Sequence, residues 1–283
     1  MQNPEFTHSG SLTLADGSSW AIAAEDSCGA DIGRSLAQSM QLTTASQSAQ
    51  KLLILKNGLL SKESIQSLIS ENKLQYPAHG NRITCQLHPA VNNDILAVQL
   101  MKLSLLFCCE AEARGGLLVH GGLAEKDGLG VVLAGPGDVG KTTASRRLLP
   151  PWRSLCDDCT LIVRDKDGIY HAHPWPTWST FMFGGSGGSW DVQYSVPLHA
   201  IFHLVQSEKD YVEPLGQGKA ACLLNESTEQ AWLGFSFELE SQTRRALSLQ
   251  RFDNICELVK SIPAYLLQIS KEGPFWEKMA QVL

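Results

Sequence analysis

Over the first third of the chain, apolar and polar positions alternate in short runs. In SLTLADGSSWAIAA two apolar runs flank Asp16-Gly17, and Asp-Gly supplies the positive φ values of a tight hairpin turn, so a small sheet is predicted to start here. A helix is predicted over Asp31 to Met40, a strand at KLLILK from Lys51, a second helix after Ser61 and a short strand from Arg82 to Leu87. From Asn93 to Ala113 the residues are apolar on most faces and include no Gly or Pro, which predicts a buried helix.

Gly115-Gly116 ends that helix, and LLVHGGLAEKDGLGVVLAG then reads as two strands joined at Asp127-Gly128. With the turn centred on Lys126-Asp127, antiparallel pairing sets His120 opposite Leu133. Asp167-Gly168 links TLIVRD to IYHAHPW as a third hairpin. Further on, HAIFHLVQS is strand-like and DNICELVKS helical, with no internal repeat; GGSGG at Gly184 to Gly188 is a flexible stretch. The pattern predicts an α/β protein with a mixed sheet, divided into a small N-terminal α+β module over 1–112 and a larger domain over 113–283.

Composition narrows the function. A chain of 283 residues with 43% hydrophobic content can bury a sizeable core. The net charge of −6, with few Lys or Arg runs, argues against nucleic acid or an anionic membrane as the main partner. The longest apolar stretch, Ile95 to Cys109, is interrupted by Gln99, Lys102 and Ser104, and the start lacks the basic head and apolar block of a signal peptide, so a cytoplasmic protein is expected. The cysteines at 28, 85, 108, 109, 156, 159, 222 and 256 are dispersed, and most are expected to be small buried hydrophobes. Cys156-Asp157-Asp158-Cys159 matches C-x-x-C, but no second ligand pair completes a zinc set and the acidic neighbours raise thiol pKa values.

The candidate chemistry lies in Gly135-Pro136-Gly137-Asp138-Val139-Gly140-Lys141-Thr142-Thr143, which fits G-x-x-x-x-G-K-[ST]. Glycines at these positions let backbone amides turn toward phosphate oxygens, Lys141 reaches the β- and γ-phosphates of ATP, and the Thr142 hydroxyl binds Mg²⁺. A chance match in such a chain is on the order of a percent. The context, a strand before and a helix stopped by Pro150-Pro151 after, lowers that further. Asp138 places a carboxylate among expected phosphates, so it is read as a left-handed backbone position whose side chain faces outward.

Two acids follow at Asp157-Asp158. The strand before them follows the loop helix, and a crossover would return it parallel to GVVLAG, bringing both acids to the phosphate edge of the sheet. A solvated acidic turn is the other reading. For His120, spacing alone leaves a structural and a catalytic role equally open. In HPWPTWS, Trp175 and Trp178 read as core before they read as an acceptor wall, and Gly184 to Gly188 is a candidate lid hinge. Arg146, Arg147, Arg244 and Arg245 read as capping or surface groups.

Together, VHGGLAEKDGLGVVLAGPGDVGKTT and SLCDDCTLIV resemble the HPr kinase/phosphorylase family, which has a phosphoenolpyruvate-carboxykinase-like P-loop fold. The resemblance implies that His120 and Asp157 assist proton transfer at an acceptor hydroxyl, while Asp158 and Thr142 hold the metal. HAHPWPTWSTFMFGGSGGSW and VPLHAIFHLVQS resemble more specifically the ScmC proteins of SynChlorMet cassettes, which also encode radical SAM enzymes and a small peptide. Thr143 stands where HPr kinases usually carry Glu, and no HPr-docking or phosphorylase signature is present, so the resemblance does not extend to HPr as acceptor.

The expectation is a kinase that uses ATP and Mg²⁺ to phosphorylate a hydroxyl, on a peptide Ser or Thr or a small serine-like molecule. Asp157, His120 and Asp158 are its catalytic candidates. A nucleotide-binding accessory or scaffold protein of a peptide-modification cassette is the alternative, with radical SAM cassette proteins as partners by resemblance. A decarboxylating carboxykinase would need metal and carboxylate ligands that the sequence does not display.

Overall fold

The structure, a computed structural model, describes residues 6–43, 49–58, 78–180, 188–236 and 241–283. The chain is α/β with mixed sheets and divides into two compact units, 1–106 with 178–193 and 107–177 with 194–283. The sequence pattern put a single boundary after residue 112; the division falls inside the long helix and returns 178–193 to the first unit. The helical pattern after Ser61 and Gly184 to Gly187 of the candidate hinge lie outside the described residues.

In the first unit β1 (Thr7–Thr13) and β2 (Ser19–Ala24) form the hairpin around Asp16-Gly17. Helix α1 (Ser27–Ser39) crosses from β2 to the parallel β3 (Lys51–Asn57), followed by β4 (Ala78–His79) and β5 (Arg82–Leu87). The described strands of this sheet run in the order β1-β2-β3-β5-β4. Helix α1 starts at Ser27 rather than Asp31 because Asp26 caps it: one carboxylate oxygen accepts from Gly29 N at 2.8 Å and the other from Asn57 N at 2.7 Å. Gly29 has no substitute, since a Cβ there would stand 2.4 Å from the Leu55 carbonyl oxygen. Trp178 is buried within this unit and donates to Ser104 Oγ.

Helix α2 (Asn93–Glu112) matches the predicted buried helix and leads into the second unit. There β6 (Leu117–Lys126) and β7 (Leu129–Ala134) form a hairpin, followed by the loop and α3 (Lys141–Arg147). Next come β8 (Arg153–Cys156), β9 (Cys159–Arg164), β10 (Tyr170–Trp175) and β11 (Val196–Gln206). The chain ends with β12 (Tyr211–Pro214), α4 (Gln217–Ser236), α5 (Ser241–Ser261), β13 (Ala264–Ile269) and α6 (Phe275–Ala280).

The described strands run β10-β9-β6-β7-β11-β13-β12, and β8 pairs with β6. A further pairing of β10 with β11 closes the first five of these on themselves. Strands β7, β11 and β13 are mutually parallel, so their carboxyl ends share one edge. Beneath that edge Leu133, Phe202, Leu204, Leu267, Phe275 and Met279 are buried together.

The β6–β7 turn centres on Asp127-Gly128, both at positive φ (53° and 81°), rather than on Lys126-Asp127. That shifts the register by two residues: Leu133 pairs with Gly122, and His120 stands level with the first loop residue, Gly135. Strand β8 does run in the direction of β7, as expected, but β6 lies between them and is antiparallel to both.

Candidate functional site

β8 and β9 behave as one strand with a two-residue gap. Cys156 pairs with Leu123 and Cys159 with His120, leaving Asp157-Asp158 across from Gly121-Gly122 without strand pairing. Gly122 makes the room, since a Cβ there would stand 2.9 Å from Ser145 Oγ and 3.1 Å from the Cys156 oxygen. Thr160 Oγ1 donates to the Gly121 carbonyl at 2.8 Å and closes the gap on its β9 side.

This gap faces the loop. A cleft of about 490 Å³ is lined by His120, Asp158, Lys141, Thr142 and Thr143 together with Gly137, Asp138 and Gly140. His120 Nε2 lies 3.1 Å from Asp158 Oδ1, and because a carboxylate only accepts, this nitrogen carries the shared proton. The other ring nitrogen, Nδ1, lies 2.7 Å from Gln230 Oε1 on α4.

Burial would raise the Asp158 carboxyl, but the hydrogen bond and charge of His120, with Cys159 and Lys141 helping, hold it below the usual aspartate value. Lys141 is buried, and its ammonium donates to the carbonyls of Gly135 and Pro136, 2.9 Å each. Burial lowers its pKa, opposed by Asp158. Asp138 (φ 60°) and Gly140 (φ 100°) take left-handed backbone, and Asp138 is exposed and stands among the residues lining the cleft. Gln206 Nε2 fastens the loop by donating to the Asp138 carbonyl at 3.2 Å.

A family model, that of the SynChlorMet cassette protein ScmC, matches residues 83–283. The chain belongs to the ScmC family. The match takes in the loop, His120, both acids and α4. No curated protein matches the chain.

Of the residues singled out in this ScmC-family sequence, His120, Asp158, Lys141, Thr142, Thr143, Gly137, Asp138 and Gly140 meet on the cleft. Asp157 is not among its lining residues; its Oδ1 accepts from Thr177 Oγ1 at 3.2 Å. Gly135 and the Val139 side chain are buried beneath the loop. Gln230 was not anticipated, and nothing local in its stretch of sequence marks it, since it lies 110 positions from His120.

The cysteines are all free, but fewer are buried than composition implied: Cys85, Cys108 and Cys156 are buried, Cys222 is exposed and the others are half-buried. Cys156 donates to the Cys159 carbonyl, and burial pushes its thiol up to about 11, which fits packing. His173 and Trp175 are core residues. Arg147 is more than a surface group: its guanidinium donates to the carbonyls of Ser270 and Gly273 and lies 5.1 Å over the Phe275 ring.

Among the described residues no three His, Cys, Asp or Glu side chains gather as a metal cluster, and no helix is long and apolar enough to cross a membrane.

Proposed function

We propose that the chain is a kinase with a phosphoenolpyruvate-carboxykinase-like P-loop, moving the γ-phosphate of ATP to a hydroxyl on a peptide or a small serine-like molecule. One observation carries this reading: the His120–Asp158 pair faces the same cleft as Lys141 and Thr142. A proton-handling pair beside a phosphate-type loop is what transfer to a hydroxyl requires.

The residues fit Mg-ATP. Lys141 already satisfies its charge on the Gly135 and Pro136 carbonyls, a grip it can exchange for phosphate oxygens. Thr142 and Asp158 offer two oxygen donors on one cleft, a small set that suits Mg²⁺, which keeps several waters and takes its other ligands from phosphates. When bound, the metal offsets the phosphate charge. The chain's own part is positional. His120 donates from Nε2 to Asp158 Oδ1 and so fixes the carboxylate, the Asp158 carboxylate takes the proton from the acceptor hydroxyl, and Gln230 lies against the opposite ring nitrogen. Asp157, held by Thr177, supports the turn from behind. Asp158 therefore takes over, in this proposal, the proton role that resemblance assigned to Asp157.

The test is to incubate the protein with ATP, Mg²⁺ and a panel of serine compounds and cassette peptides, and look for a phosphorylated product by mass spectrometry. Product that disappears with Asp158→Asn supports the kinase. ATP binding without any phosphorylated product favours the accessory role, with radical SAM cassette enzymes as its partners, a reading for which the family's cassette description speaks.

A further inference from the structure

Two clefts meet at the loop, and the proposed reaction uses only one. The second, of about 350 Å³, opens at the carboxyl ends of the parallel strands β7, β11 and β13. Ligands of α/β sheets bind outside that edge. Val139 and Ile269 supply apolar wall, while Arg147, Ser207, Ser270 and Lys271 supply polar and cationic groups; no carboxylate lines it among the described residues.

Gly140 and Thr143 line both clefts, so one extended ligand can pass from one to the other over the start of α3. His120 and Asp158 line only the first. An acceptor hydroxyl seated in the second cleft would be separated from the proton-handling pair by Gly140 and Thr143. The second cleft therefore suits the trailing end of the donor.

The Arg147 side chain is built for that role. Two carbonyl acceptors fix its guanidinium, and Phe275, fully buried and not part of the lining, covers one face. A planar cation held in this way is a stacking surface for a heteroaromatic ring. Gln206, which also lines this cleft, donates to the Asp138 carbonyl and so places the wall beside the loop.

We infer that this cleft receives the base and ribose of the nucleoside triphosphate, with the base against Arg147. The inference rests on the reading that the loop holds the donor's phosphates.

Calorimetry on the full chain with Mg²⁺ tests it, using ATP and inorganic tripolyphosphate as probes. The wild-type chain should bind ATP more tightly than tripolyphosphate. Arg147→Met, and independently Ser207→Trp, which fills the cleft, should weaken ATP by about tenfold or more and leave tripolyphosphate unchanged. Lys141→Ala should weaken both probes. Unchanged ATP affinity in both cleft variants, or equal losses for the two probes, overturns the inference while leaving the phosphate loop standing. Failure of the wild-type chain to bind either probe overturns the loop reading and the inference with it.

Discussion

His120 Nε2 is bonded to the second acid of the Asp157-Asp158 pair, at 3.1 Å, while the first acid is held by Thr177 on another strand's exit. Both acids sit in the bend between β8 and β9, and of the two only Asp158 meets the histidine. Asp158→Asn should cut turnover on the acceptor by about 10²- to 10⁴-fold. Asp157→Asn should cost much less, and steady-state kinetics of the two variants would separate them. Equal losses would return Asp157 to the proton transfer.

Lys141 holds two loop carbonyls with a buried ammonium. Saturating ATP should stabilise the wild-type chain by about 3 kcal/mol at a hundredfold excess over Kd. In Lys141→Ala the ATP-induced rise in thermal midpoint should vanish. A retained rise would place the nucleotide elsewhere.

Gly122 is closely packed between β6, α3 and the acid gap. Gly122→Ala forces a methyl against Ser145 Oγ and the Cys156 carbonyl, and should cost about 1–3 kcal/mol, read as a lower urea midpoint. An unchanged midpoint would mean that β6 moves away freely.

Glu112 is buried with Arg251 at 2.7 Å, and its other oxygen accepts from Trp232 Nε1 at 2.8 Å. This fixes α4, the helix that carries Gln230, to the end of α2. Glu112→Gln keeps an acceptor for Trp232 but strands the Arg251 charge, so a loss of about 3–5 kcal/mol is expected by denaturant unfolding. Leu at both positions should recover part of it.

His203 is buried on β11; burial lowers its pKa, Glu226 opposes, and Lys219 and Lys141 add to the lowering. The unfolded chain then binds this proton more readily than the folded one. Its contribution to stability is whole above the ordinary histidine value of 6.5 and drains away as pH falls toward the depressed value. Between about pH 7 and about pH 5 the urea midpoint should fall more steeply for the wild type than for His203→Gln. Parallel slopes would remove His203 from the acid response.

Local sequence carried the hairpins, because Asp127-Gly128 and Asp167-Gly168 are residues that tolerate the turn's left-handed backbone, and it carried α2 through its unbroken apolar run. The loop was legible for the same reason at Asp138 and Gly140. What stayed hidden depends on distance along the chain. The Gln230 bond to His120 follows from how α4 packs, and the choice between Asp157 and Asp158 follows from which one the strand gap turns inward. The return of 178–193 to the first unit has no local signature either.

The same pairing register on both sides of Asp157-Asp158 makes the spacing of this turn a fixed gauge. A slip of β9 by one residue against β6 would turn every one of its side chains to the other face. The interval from His120 across to Asp158 is therefore set by strand pairing and not by the glycine loop, so the loop can change while that pair stays in place.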